Sequence, residues 1–298
     1  ADPAVVRQRG WAARGPGGTV RRAEPGPCGP LVLAARPTHD GVACEVWGPA
    51  PTPADAVEQA LAAAVAWTGG HDSAEGFGEL VVPHVTLRGL YARLGAPVLS
   101  RMPRVGEALG RAVIAQLVQS LEAVRSTAQL AAMVGEPAAA GDLWCWPTAA
   151  RLGATPAWSL RRCGVSLRGA RALHAGAVAD HRLEAVVGDW ALLDRRLRAL
   201  PGVGVWTSGE TRLALGDPDA VSVGDYHLPS LVGGALDGGP GDGPDGAWTD
   251  AGMLALLAPY AGQRGRVIRL VLAGMRAGLV RRPARRAPRA ALSRHRYW

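Results

Sequence analysis

The stretch that decides the fold runs from Leu197 to Leu228, LRALPGVGVWTSGETRLALGDPDAVSVGDYHL. A helical run leads into it, Asp189 to Leu200, with Leu192, Leu193, Leu197 and Leu200 at helical spacing. Pro201-Gly202-Val203-Gly204 stops that run. Gly202 and Gly204 reach backbone angles closed to other residues and put no side chain between backbone and partner. A second helix is expected from near Val205 to about Leu215, which makes an αα-hairpin with a glycine turn. The N–H groups opening that second helix face out of the turn and suit a phosphate oxygen. About twenty residues on, Gly224-Asp225-Tyr226 sets one isolated acid beside an aromatic.

The order L-x-x-L-P-G-V-G-x-W-T, then D-x-D-A-x-x-x-x-D-Y, resembles the helix-hairpin-helix, Gly/Pro-rich loop, Asp superfamily of DNA glycosylases. The pairs Trp206-Thr207 and Asp225-Tyr226 are similar to the 3-methyladenine glycosylase II (AlkA-like) branch. Upstream, Arg111 to Val118 (RAVIAQLV) resembles that branch's R-A-I-L-x-Q-L-V helix and loop. Downstream, Ala258-Pro259-Tyr260 and Arg264-x-Arg266-Val267 resemble its closing helix. The matches span roughly Leu90 to Ala273. A lone P-G-V-G is weak, because such turns occur in many DNA-binding proteins. The hairpin, the aspartate and the Gln-Leu loop in this order are specific together.

Composition bounds the rest. A chain of 298 residues can bury two or three compact subdomains. No apolar run reaches the length of a membrane span, and Ala1-Asp2-Pro3 begins no signal sequence. The expectation is a monomeric, cytoplasmic, nucleoid-associated bacterial protein. Cys28, Cys44, Cys145 and Cys163 are scattered, which speaks against a zinc ribbon or a C-terminal iron–sulfur motif. No catalytic metal and no organic cofactor are expected. The net charge is +8, and Arg276 to Trp298 holds eight arginines and no acid. That tail suits nonspecific DNA contact or a solvated end. The chain contains no lysine. Bifunctional glycosylases attack the sugar with a lysine amine, so a glycosylase built on this sequence is expected to be monofunctional, with water as nucleophile.

In chain order, residues 1–17 read as a mobile leader, 18–100 as a small α/β domain, 101–275 as the helical glycosylase domains and 276–298 as the basic tail. Leu31 to Ala35 and Val42 to Trp47 are expected strands, and Pro53 to Trp67 a helix opened by Thr52 or Asp55. Further helices are expected over Leu87 to Leu94, Arg104 to Val118, Glu122 to Val134, Leu167 to Ala179, Asp225 to Leu236, Met253 to Pro259 and Arg264 to Met275. His71-Asp72 sits in a loop and reads as structural, as do Trp144 and Trp146. Asp217 and Asp219 read as turn or cap residues. The fold class is mainly α with a small N-terminal α+β domain.

The resemblance implies roles for individual residues. A flipped nucleotide leaves a gap whose opening costs a few kcal/mol, and an apolar wedge offsets that cost. It puts Leu117, beside Gln116, in that place; taken alone, Leu117 reads as a core leucine. Cleavage of the glycosidic bond develops positive charge on the sugar, and an anion set against it stabilises that charge and orients the attacking water. The resemblance carries this role onto Asp225. The alternative for Asp225 is a cap of the following helix. Alkylated purines are cationic, so aromatic faces favour them: Trp206, with Tyr226 and Tyr260, and Glu210 where relatives often carry a second aromatic. Gly202, Val203, Gly204 and Thr207 are expected to hold one phosphate, a contact that reads no sequence and that admits a Na⁺ or K⁺ ion at the hairpin. The implied partner is double-stranded DNA with damaged bases, and the implied reaction is excision of 3-methyladenine or 7-methylguanine. A bulky or unusual alkyl adduct and a noncatalytic lesion-binding protein are the alternatives.

Overall fold

A computed structural model of the chain describes residues 12–14, 18–139, 142–239, 241–243 and 246–281. The basic tail, apart from residues 276–281, lies outside them, as does most of the expected leader. Among the described residues, β1 (Ala12–Arg14), β2 (Val20–Glu24), β3 (Leu31–Thr38) and β4 (Gly41–Trp47) form an antiparallel sheet in that order. β1 pairs with Val20 to Arg22, so part of the expected leader is an edge strand. Residues alternate across a strand. Leu31 and Leu33 accordingly pack on Ala60 and Ala64 of α1 (Ala54–Trp67), while Val32 meets Ala138, Leu143 and Cys145 on the opposite face. Neither expected cap opens α1: Pro53 holds the N-cap without a side-chain bond, and the Thr52 hydroxyl donates to the Pro49 carbonyl.

The remaining helices are α2 (Phe77–Val81), α3 (Val85–Leu94), α4 (Val105–Ile114), α5 (Ser120–Val134), α6 (Ala149–Ala154) and α7 (Ala157–Arg162). They are followed by α8 (Leu167–Glu184), α9 (Trp190–Arg198), α10 (Val205–Ala214), α11 (Leu228–Leu236), α12 (Asp250–Leu257) and α13 (Arg264–Arg276). They build two cores. Leu109, Val113, Leu130, Trp146, Leu173, Leu193 and Leu197 join α4, α5, α8 and α9 in the first. Phe77, Leu87, Leu231, Met253, Val267 and Leu270 join α2, α3 and α11 to α13 in the second. Thus α2 and α3, which the sequence places with the sheet, pack with the C-terminal helices. The decisive stretch passes between the cores: Val203 and Leu215 belong to the first, Val221 and Leu228 to the second.

Several boundaries differ from expectation, among them that of α12, which opens at Asp250 behind a Thr249 cap rather than at Met253. α4 ends at Ile114, because the chain turns at Ala115 and Leu117 takes a left-handed φ of 57°. α8 runs on to Glu184, and Ser166 caps its start by accepting the Gly169 N–H at 3.0 Å. α11 begins at Leu228, with Pro229 in its first turn where a missing N–H is harmless.

Candidate active site and DNA interface

α9 and α10 form the expected hairpin. Asp189 caps α9 by accepting the Leu192 N–H at 2.9 Å, and Leu193 and Leu197 are fully buried. The turn requires glycine at 202, where φ is +83° and a Cβ would meet Ala172 and Arg168 of α8. Asp194 of α9 accepts the Ser208 hydroxyl of α10 at 2.6 Å, which locks the two helices together. Gly204 opens α10 without a capping side chain, and nothing lies within 4 Å of where its Cβ would be. The helix N-terminus is therefore open to an approaching anion.

The other expected hairpin contacts divide. The Val203 N–H donates to the Leu200 carbonyl at 3.1 Å, and the Val203 side chain is in the core. That N–H is committed inside the turn, a correction to its expected phosphate role. Thr207 is 2% exposed. Its hydroxyl accepts from Gln116 Nε2 at 2.8 Å, and the same nitrogen donates to the Gly202 carbonyl at 2.9 Å. The partly buried Gln116 and the buried Thr207 thus fasten the loop after α4 to the hairpin turn. The Gly202 carbonyl keeps a second lone pair. Leu117 is the outward residue of that loop, 71% exposed and in the left-handed region. A core leucine it is not.

From α10 the chain returns through 217–222, squeezed between two helices. A Cβ at Gly209 of α10 would lie 2.5 Å from the Val221 carbonyl oxygen, and one at Gly265 of α13 would lie 2.6 Å from that of Ala220. Two aspartates pin the segment. Asp217 is buried against Arg212. Asp219 accepts the Gly262 N–H at 2.8 Å, the Arg264 N–H at 3.1 Å and the Arg264 guanidinium. Burial pushes the Asp219 carboxyl up, but these bonds outweigh it and hold it below the usual range. Both are structural, as expected.

That clamp delivers Asp225 to the hairpin. Its Oδ1 accepts the N–H groups of His227 and Leu228 at 2.8 and 2.9 Å, and its Oδ2 accepts Trp206 Nε1 at 3.3 Å. Asp225 therefore does secure the start of α11 and also touches the aromatic at the head of α10. Tyr226 is half-buried, its ring edge-on to His227 with centroids 4.9 Å apart. Tyr260 departs from expectation: it is 6% exposed and packed in the second core with Met253 and Val267. Burial raises its phenol above the usual value.

Glu210 lies one helical turn beyond Trp206 and accepts the Ser222 hydroxyl. Its carboxyl is raised first by burial; Ser222 opposes, the nearby Asp225 charge adds to the rise, and Arg269 of α13 opposes. Ser222, Arg269 and the bridging bond from Gln116 are site features the sequence did not single out. No local pattern marks them, since each acts through a contact distant in the chain. Among the described residues, no group of three His, Cys, Asp or Glu side chains is arranged to hold a metal ion, and no helix is long and apolar enough to cross a membrane.

No family model and no curated protein matches the chain by sequence. Solved structures do match. The 3-methyladenine DNA glycosylase of Archaeoglobus fulgidus superposes with a TM-score of 0.72 at 17% identity, over 89% of each chain. The 8-oxoguanine glycosylase/lyase of Clostridium acetobutylicum, in complex with DNA, gives 0.65 at 12% identity, over 89% of this chain and 88% of that one. The Schizosaccharomyces pombe 3-methyladenine DNA glycosylase bound to abasic DNA gives 0.52 at 20%, over 64% of this chain and 91% of that one. The chain has the fold of the helix-hairpin-helix, Gly/Pro-rich loop, Asp DNA glycosylases.

Proposed function

We propose that the protein is a monofunctional DNA glycosylase of base excision repair, with alkylated purines of the 3-methyladenine and 7-methylguanine type as substrates. The observation that carries this is the contact between Asp225 and Trp206 at the open end of the hairpin. It joins an anion and an aromatic face at a surface that also offers an uncapped helix N-terminus and an exposed leucine.

Each part has a task. Main-chain N–H groups at Gly202, Gly204 and the start of α10 hold one phosphate, with a Na⁺ or K⁺ ion bridging to the turn carbonyls. Leu117 enters the gap left by the flipped nucleotide. Trp206 and Tyr226 receive the electron-poor base. The Asp225 carboxylate faces the sugar as positive charge develops and takes the proton of the attacking water. Two backbone donors fix its orientation beforehand, so no reorganisation is needed at the moment of reaction. The absence of lysine leaves no side-chain amine to form a Schiff base with the sugar.

The test is mass-spectrometric detection of free base after incubation with duplex DNA treated with a simple methylating agent. Release of 3-methyladenine or 7-methylguanine supports the reading. Tight binding to that duplex with no base released overturns it in favour of a lesion-binding protein.

A further inference from the structure

Hydrolysis of a cationic purine makes no use of Glu210. The residue is nonetheless placed within the same constellation. It follows Trp206 by four positions on α10, so the two side chains share a helix face. Its Oε1 accepts from Ser222, three residues before Asp225. Among the described residues its other oxygen has no protein hydrogen-bond partner, and the residue remains partly exposed. The charged groups that face it are Asp225 from the loop and Arg269 from α13. Arg269 is itself engaged elsewhere, donating to the Leu213 carbonyl at 3.2 Å. Burial and the Asp225 charge favour the neutral carboxyl; Ser222 and Arg269 oppose it, and the balance lies above the ordinary glutamate value.

We propose that Glu210 is a general acid that protonates a ring nitrogen of an extruded neutral purine, which extends excision beyond bases already carrying positive charge. This rests on the glycosylase reading above. In the step, the Glu210 O–H bond breaks and an N–H bond forms on the purine ring. The bond from C1′ to the base then breaks with both electrons going to the base, which leaves as a neutral tautomer. Water oxygen adds to C1′ and its proton passes to Asp225. Solvent returns a proton to Glu210 and removes one from Asp225, so the net reaction is hydrolysis. Two carboxyls in different environments, one bound by two backbone N–H groups and an indole N–H and one partly buried on a single hydroxyl, fit two different roles.

The experiment measures single-turnover release by the full chain from two duplexes, one carrying 7-methylguanine and one carrying the neutral purine hypoxanthine, between about pH 5 and pH 9. Wild-type protein is expected to release both, with hypoxanthine release falling as pH rises through the Glu210 titration. Glu210→Gln, which keeps an acceptor for Ser222, is expected to lower hypoxanthine release by about 100-fold and to abolish that pH limb. Its effect on 7-methylguanine should be at least about tenfold smaller. Ser222→Ala leaves Glu210 in place and removes a bond that opposes protonation, so it should move the limb to higher pH. Three results overturn the proposal: equal loss on both duplexes in Glu210→Gln, a limb unmoved by Ser222→Ala, or wild-type release of 7-methylguanine without hypoxanthine. The last leaves the glycosylase reading intact, whereas release of neither base overturns both.

Discussion

Leu117 shows most plainly what a single residue can cost. A left-handed φ costs a non-glycine residue about 1–2 kcal/mol, and a leucine 71% exposed recovers almost nothing by burial. Leu117→Gly is therefore expected to raise stability by about 1 kcal/mol in chemical unfolding and, under the wedge role proposed above, to lower base release by about tenfold or more. Unchanged release would remove Leu117 from the site. The sequence pointed to Leu117 only through its resemblance to a family loop; the backbone angle that exposes it is invisible in the letters. The same holds for Gln116 and Thr207, adjacent in motif terms to surface roles but drawn inward by one shared hydrogen-bonding nitrogen. Tyr260 was drawn inward by burial in the second core. Asp225 was singled out through the same resemblance, and the cap weighed as its alternative is present in its bonds to the His227 and Leu228 N–H groups.

At the level of elements, the hairpin was readable almost to the residue. Its signals are local: leucines at helical spacing, Pro-Gly to stop, and a glycine that alone fits φ +83°. The path from the hairpin to Asp225 was not readable, since it depends on two glycines in different helices closing on the 217–222 segment. Gly209→Ala tests that path. Its added methyl would lie 2.5 Å from the Val221 carbonyl, and such overpacking destabilises by about 1–3 kcal/mol. Asp225 follows the displaced segment by three residues, so base release is expected to fall further than thermal stability alone explains. A variant as active as wild type at a temperature where both are folded would show that the clamp does not position the carboxylate.

Across the whole molecule, buried ion pairs hold distant parts of the chain together. Arg22 of β2, 1% exposed, bonds Glu24 and Glu107, and the latter lies on α4. This joins the small sheet to the first core. Arg22→Ala takes its ion-pair partner from the buried Glu107 and leaves Glu24 with Arg104 alone, at 3.2 Å; it is expected to destabilise by about 3–5 kcal/mol, read by denaturant unfolding, and a loss under about 1 kcal/mol would mean the sheet docks by apolar packing alone. Arg266 of α13 likewise holds Asp72 in a bidentate pair at 2.6 and 2.7 Å. Burial pushes the Asp72 carboxyl up, but the Arg266 bonds, the Leu99 N–H and neighbouring positive charge bring it below the usual value. The folded-state value is depressed, so this contribution is present above the unfolded-state value and is lost as pH falls through the folded one. The stability gap between wild type and Asp72→Asn should accordingly be full at neutral pH and shrink below about pH 4. A constant gap would contradict it. Neither pairing could be read beforehand, since the partners are separated by 85 and 194 positions; sequence patterning conveys local periodicity and no tertiary partner.

The most direct measurement of the central claim compares wild-type protein with Asp225→Asn in single-turnover release of methylated purine, alongside binding of both proteins to the same duplex. Asparagine keeps an oxygen to accept the His227 and Leu228 N–H groups, so fold and DNA binding should persist. The expected result is base release by wild type, with a loss of about 100-fold or more in the variant at similar affinity. Release at the wild-type rate by Asp225→Asn would contradict the assignment of the catalytic carboxylate.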